Sequence, residues 1–281
     1  LEVETQTIVA AIESLQSNPI KDYILPMGGV FVSGLLGMGV AYYTVNRQEK
    51  MKLELHKVET INETLLHAQE MRARLISIKQ NYIRNIDSDP VSRTLSIPPI
   101  LLSEQRIEVH LSRLAFMVPD RSQGKVSKWQ SIDYVSTIFS NYNYLLELWK
   151  KRNEIIIGLQ PKLGHLFRVG LNFENLVAAI GEPTLVQLAD LTERVLVMTD
   201  DILIEVSCFL VGFGSVAKSQ VDKKVTRNLS KIIQVILPDS STYPLAVDML
   251  SRVPELNFDA ASQLHNIPVN ILKERYRPLY Q

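Results

Sequence analysis

The chain has little to close it covalently. Cys208 is its one cysteine in 281 residues, so no intrachain disulfide forms, in agreement with a reducing compartment. Its setting, Val206-Ser207-Cys208-Phe209-Leu210-Val211, reads as a buried, inert thiol. Charge of one sign is not in excess either: 30 Lys and Arg face 30 Asp and Glu, and the pI is near neutral. That gives no support for a general nucleic-acid binder. Charged residues at 21% and apolar ones at 46% argue against disorder. There is no internal repeat and no low-complexity tract. No nucleophile signature surrounds any Ser or Cys208, and the histidines His56, His67, His110, His165 and His265 stand in no triad pattern. No motif rises to an enzyme assignment.

What the sequence does have is one long apolar run. Tyr23 to Asn46 is 24 consecutive residues without a charge. At 1.5 Å per residue this run covers about 36 Å as a helix, against about 30 Å for the hydrocarbon core of a bilayer. A core helix of a soluble domain is the competing reading, and the length and lack of charge favour a transmembrane helix. The run lacks a basic leader and a small-residue cleavage site, so it is not read as a secretory signal. Pro26 falls in the first turn, where a missing N–H costs little. Tyr23, Tyr42 and Tyr43 suit the two interfaces.

Within the run, Gly29, Ser33, Gly37 and Ala41 recur every four residues and share one strip of the helix. Small side chains let a second helix approach closely in lipid. These four are the candidate packing face, and Gly39 lies opposite. Lys21 is the only basic residue before the run, whereas Arg47, Lys50, Lys52 and Lys57 follow it. The positive-inside rule puts residues 1–22 outside and the C-terminal bulk in the cytoplasm or an equivalent compartment. On that topology the sequons Asn62-Glu63-Thr64 and Asn228-Leu229-Ser230 go unused.

Around the span, residues 1–20 carry helical spacing at Ile8, Ala11, Ile12 and Leu15, ended by Ser17-Asn18-Pro19. A surface-lying or partner-facing helix fits. Residues 47–87 continue the spanning helix as a juxtamembrane segment. Met51, Leu55, Val58, Ile61, Leu65, Ala68, Met71, Leu75, Ile78, Tyr82 and Ile86 step in threes and fours like a coiled-coil seam, with a stammer-like break at Leu65–Ala68–Met71. The broken heptads favour packing against other helices of a complex over a long dimer. The opposite face holds His56, Glu59, Glu63, His67, Glu70 and Arg74. Glu63, His67 and Glu70 have ligand-like spacing, but no Glu-x-x-His partner follows, so a solvated face is preferred to a metal site.

Asp87-Ser88-Asp89-Pro90 and Pro98-Pro99 mark residues 88–99 as a Pro-containing linker. Residues 100–281 are expected to form an all-helical soluble-side domain. Helical patterns run near 101–118, then, after Pro119 and Gly124, over 128–157. The aromatics Trp129, Tyr134, Phe139, Tyr142, Tyr144 and Trp149 beside Lys150-Lys151-Arg152 are read as core and partner-facing groups rather than a base-stacking surface. Glycines 158, 164, 170 and 181 with Pro161 and Pro183 predict short helices and turns over 158–183. Residues 184–214 predict a central core helix, with Ile202–Ala217 too short and too acidic for a second span. Its Asp200, Asp201 and Glu205 are assigned to a helix surface or to pairing with Lys223 and Lys224. The basic stretch 218–231, with Val221, Val225, Leu229, Ile232 and Ile236, is expected to form a helix hairpinned against it. Pro238, Pro244, Pro254 and Pro268 punctuate short terminal helices.

Gly212-Phe213-Gly214-Ser215-Val216-Ala217-Lys218-Ser219 matches a phosphate-loop pattern except that Ala217 replaces a glycine. No alternation of strands and helices surrounds it, so a helix-ending glycine pair is the preferred reading. The expected fold is therefore all-α: one transmembrane helix, a juxtamembrane helix and an irregular helical bundle. The expected function is a membrane-anchored interaction protein, an accessory or scaffold subunit. An oligomerising single-pass effector that perturbs the bilayer is the alternative, and an enzyme without a recognisable motif is third. The expected partners are the bilayer and a protein, another chain or itself, met through the transmembrane and juxtamembrane helices. No cofactor, metal or nucleic acid is implied.

Overall fold

A computed structural model describes residues 2–14, 20–102, 105–119, 126–169, 172–226, 230–237, 241 and 247–280. The stop at Ser17-Asn18-Pro19, residues 228 and 229 of the second sequon and of the basic stretch, and Gly124, Gly170, Pro238 and Pro244 lie outside them. The described residues are all-α, with no strand. The chain forms two compact units, Leu1–Leu55 and His56–Gln281.

The first unit holds α1 (Glu2–Ser14), a π-helical turn (Ile20–Ile24) and the start of α2 (Leu25–Gln80). Pro26 sits in the first turn of α2, where no backbone donor is lost. The apolar run is helical throughout, and α2 is long and apolar enough to cross a membrane.

The second unit begins on the rest of α2. Val58, Ile61, Leu65, Ala68, Met71, Leu75 and Ile78 are all buried, as are Tyr82 and Ile86 beyond the helix. The seam that resembles a coiled coil thus packs within the unit, into its main core. The helix ends at Gln80, short of the expected residue 87. Asn81 stops it by donating its amide to the carbonyls of Ser77 (2.6 Å) and Ile78 (3.2 Å), which fills acceptors that a helix end leaves open.

Residues 88–99 are not a bare linker. Asp89 accepts from the amides of Val91 and Ser92 at 3.0 and 2.8 Å, with Pro90 at the first position, and starts α3 (Pro90–Ser96). An acidic cap followed by proline begins a helix as readily as it ends one. Over the expected helix 101–118, residues 101–102 and 105–110 have no regular structure and Leu111–Met117 is a 3₁₀ helix. This part of the chain is held by side chains of α4 (Ile132–Val169). Asn153 gives and takes one hydrogen bond with the backbone of Ile100, at 2.6 and 3.1 Å. Asn143 does the same with Ile107, at 2.9 and 3.1 Å. Each side-chain amide satisfies backbone groups that no regular structure pairs there.

α4 follows a short 3₁₀ turn, Lys128–Gln130, closed by a Ser127/Gln130 capping box. It runs through Gly158, Pro161 and Gly164 to Val169, not to 157. Leu159 and Leu163 stay buried in a second apolar cluster with Leu176 of α5 (Phe173–Ile180). That burial outweighs the propensity of the glycines and the proline. Gly181, at φ +82°, turns the chain from α5 into α6 (Glu182–Ala217), a backbone angle suited to glycine. α6 is the central core helix, with Val195, Leu196, Ile202, Leu203, Val206, Phe209 and Phe213 all buried. Cys208 is an exception on it: the thiol is exposed, because that position faces away from the packed side of the helix.

Among the described residues the expected basic helix over 218–231 is not formed as one element. A 3₁₀ turn (Lys218–Gln220) and a single turn, α7 (Lys223–Thr226), are followed by residues 230–237 without regular structure. α8 (Phe258–His265) and α9 (Val269–Arg275) close the unit around Leu256, Ala261, Leu272 and Tyr276.

Candidate functional site

Gly29, Ser33, Gly37 and Ala41 all lie on α2 and are all exposed within the first unit. A Cβ built on Gly29 or Gly37 meets nothing within 4 Å, and the same holds for Gly28, Gly34 and Gly39. Four residues advance a helix by about 400°, so the strip winds by about 40° per step. The apolar side chains around it are equally bare: Val30 is 75% exposed, Phe31 71% and Leu36 65%.

The acids of α6 tell a different story from the expected one. Asp200, Asp201 and Glu205 are buried at 1%, 2% and 5%, and none pairs with Lys223 or Lys224. Asp200 takes Lys79 of α2 at 2.5 Å and the Val253 amide at 2.7 Å. Asp201 takes Arg252 at 2.5 Å and the Leu279 amide at 2.6 Å. Glu205 takes Lys128 at 2.7 Å and the Tyr134 hydroxyl at 2.6 Å. Lys128 also lies over the Trp129 ring, 4.5 Å from its centre. Higher on the same helix, Glu193 takes Arg93 of α3 at 2.8 Å, and Asp190 takes Arg275 at 3.0 Å and the Tyr276 hydroxyl at 2.9 Å. The acids are therefore a ladder that ties α2, α3 and the C-terminal residues 251–279 to the central helix.

Burial sets the protonation of this ladder. Loss of solvent pushes the Glu193 carboxyl up to about 7 against the pull of Arg93, and nearby Asp200 adds to the rise. Burial also raises Asp200, against Lys79. Arg152 is held down to about 10 by burial. Its guanidinium nevertheless donates to Thr192 and to the carbonyls of Thr94 and Ile97 at 2.9–3.0 Å, capping the end of α3. Every carboxylate in this set is held by a cation or an amide, which makes a clasp and not an open acid–base pair.

The other sequence motifs resolve structurally. Gly212 to Ala217 is helix, not a loop, and the helix runs past both glycines. Gly212 is required by Trp129: a Cβ there would lie 2.0 Å from the indole nitrogen. Asn62 of the first sequon donates to Lys231 O at 3.0 Å and accepts from the Ile233 amide at 2.9 Å. Glu63 meets Arg113 at 3.4 Å, and Glu70 pairs with Arg74. Among the described residues no group of three or more His, Cys, Asp or Glu is placed to hold a metal. Of the aromatics, Trp129, Phe139, Tyr142 and Trp149 are core, while Tyr144 is exposed.

Sequence reasoning missed the cations that answer the acids. Lys79 carries the one available signal: it follows the buried Ile78 near the end of α2 and is itself fully buried. Arg93, Arg252 and Lys128 gave none, because each meets an acid far away in the chain. Comparison with family models, with curated proteins and with solved structures finds no match to this chain.

Proposed function

We propose that the chain is a membrane-anchored interaction protein, an accessory or scaffold subunit that positions a partner at a bilayer. One observation carries this reading: the most apolar window of α2 has a mean hydropathy of 1.5 and none of it is buried by protein. Leaving a large apolar side chain in water forfeits about 1.5–3 kcal/mol, and the window holds Val30, Phe31, Val32, Leu35, Leu36, Met38 and Val40. Lipid is the cover that matches the length of the run. The small-residue strip then gives another helix a place to pack, and the basic flank, Arg47, Lys50, Lys52 and Lys57, orients residues 56–281 to the cytoplasmic side. The paired acids of α6 support an interaction role over catalysis, since their charges are spent on holding the fold.

The test uses Cys208, the native single thiol, which is exposed. In intact cells an impermeant maleimide should leave Cys208 unlabelled until the membrane is opened. A cysteine placed at Glu4 in a Cys208→Ser background should label from outside. Release of the protein by alkaline carbonate would overturn the anchor, and labelling of Cys208 in intact cells would overturn the orientation. Mild-detergent purification then reports the partner: a fixed stoichiometric companion supports the subunit reading, and loss of all companions with leakage of vesicles rejects it.

A further inference from the structure

The acids expected to meet the basic stretch after α6, Asp200, Asp201 and Glu205, are taken by Lys79, Arg252 and Lys128. The lysines of that stretch instead line a cleft of about 620 Å³ in the second unit. Lys218, Lys223 and Lys231 stand around it, with the hydroxyl residues Thr226 and Ser230, the amide of Gln234, and an apolar floor of Val58, Val221 and Ile232. Among the described residues no carboxylate lines it. The Asp222 side chain, next in sequence, accepts from the Lys224 amide at 3.0 Å. Lys218 is half-buried, while Lys223 and Lys231 are exposed. None of the three has a side-chain ion-pair partner among the described residues. Like charges gathered in one concavity repel one another, and a bound anion relieves that repulsion. Three ammonium groups with neighbouring hydroxyls suit a phosphate, whose oxygens accept several charge-assisted hydrogen bonds. The apolar floor suits a ligand that carries an uncharged portion beside the phosphate.

We infer that this cleft binds a phosphate-bearing anion with an apolar portion, held by Lys218, Lys223 and Lys231. The site is not a phosphate loop, since Gly212 to Ala217 is helical. It uses side chains, and Lys218 is the one residue it shares with that motif. The two sources of such a ligand are a phospholipid headgroup and a soluble phosphate ester. The inference rests on the second unit alone and does not need the membrane reading.

The experiment uses the full chain in mild detergent, with radiolabelled pyrophosphate as one probe. Phosphatidic acid is the other, offered against phosphatidylcholine in nanodiscs and scored by the lipid retained after extraction. The wild-type chain should bind pyrophosphate saturably or retain phosphatidic acid selectively. Retention without pyrophosphate binding identifies a headgroup, and pyrophosphate binding without retention identifies a soluble ester. The Lys218→Gln/Lys223→Gln/Lys231→Gln variant should weaken either signal at least ten-fold, with an unchanged melting temperature. Lys150→Gln/Lys151→Gln removes two exposed lysines of α4 and should leave it unaltered. Absence of both signals in the wild type overturns the inference. So does equal loss in the two variants, which would report a general charge effect.

Discussion

Lys79 of α2 and Asp200 of α6 meet at 2.5 Å with side-chain exposures of 0% and 2%. The pair reaches further than its two helices. Lys79 also donates to the carbonyl of Ser251, and Asp200 accepts from the amide of Val253. One ion pair therefore fixes the entry of the C-terminal segment, whose backbone has no regular structure there.

Removing one partner should cost more than removing the charge of both. Lys79→Met leaves a carboxylate buried without its cation, and about 3–5 kcal/mol of stability should be lost. Adding Asp200→Asn removes the stranded charge while keeping an acceptor for the Val253 amide, so much of that loss should return. Thermal unfolding of both variants in mild detergent checks this. A double variant no more stable than Lys79→Met alone would show that the two charges are not coupled.

Glu193 makes stability depend on pH in the direction opposite to an exposed salt bridge. Its carboxyl titrates near 7 in the fold against an ordinary value of 4.5, so the folded state binds the proton more tightly than the unfolded state. The unfolding free energy contributed by this group therefore falls as pH rises from about 4.5 to about 7, and is flat beyond. Melting temperatures measured from pH 5 to pH 8 should decline more steeply for the wild type than for Glu193→Gln. Parallel pH profiles would remove Glu193 as the source.

Asn153 should act locally. Its side chain holds both backbone groups of Ile100, and Asn143 holds those of Ile107. Asn153→Ala leaves a buried N–H and C=O without partners, at about 1–3 kcal/mol. Amide exchange at Ile100 should speed up by about ten-fold or more, while Ile107 keeps its protection. Equal acceleration at both sites would mean that the segment opens as one piece and is not pinned at separate points.

These pins also show where the sequence was readable. The apolar run and the buried stripe from Val58 to Ile78 repeat at helical period, and burial follows period directly. The core helix 184–214 was legible for the same reason. Asp89-Pro90 carries two meanings, helix stop and helix start, and the cap it forms, with Arg93 packed against Glu193, goes with the second. The stretch 101–118 has helical spacing, yet its described residues before Leu111 form no helix, and Asn153 and Asn143 take up the backbone groups of Ile100 and Ile107. Pro161 reads as a break, yet Leu159 and Leu163 on either side of it bury too much surface for the helix to stop. The partners of the α6 acids lie as far as 121 residues away in the chain, a distance at which local pattern carries no information. The strip Gly29, Ser33, Gly37, Ala41 was readable as a pattern, and its purpose depends on a second helix.

That strip gives the last prediction. If it is a packing face, Gly37→Leu adds a branched side chain where two backbones would approach, and about 1–2 kcal/mol of association should be lost, about ten-fold in affinity. Gly37 itself has open space around it, so the substitution meets no clash within the chain. Membrane insertion should persist, because Leu is more favourable than Gly in hydrocarbon. Gly39 is also open and lies about 200° around the helix from Gly37, so Gly39→Leu is the matched control. Crosslinking of the membrane-embedded protein, to itself or to a partner, should fall for Gly37→Leu and hold for Gly39→Leu. Equal crosslinking by the two variants would reduce the strip to composition, and the association would then have to run through residues beyond the apolar helix.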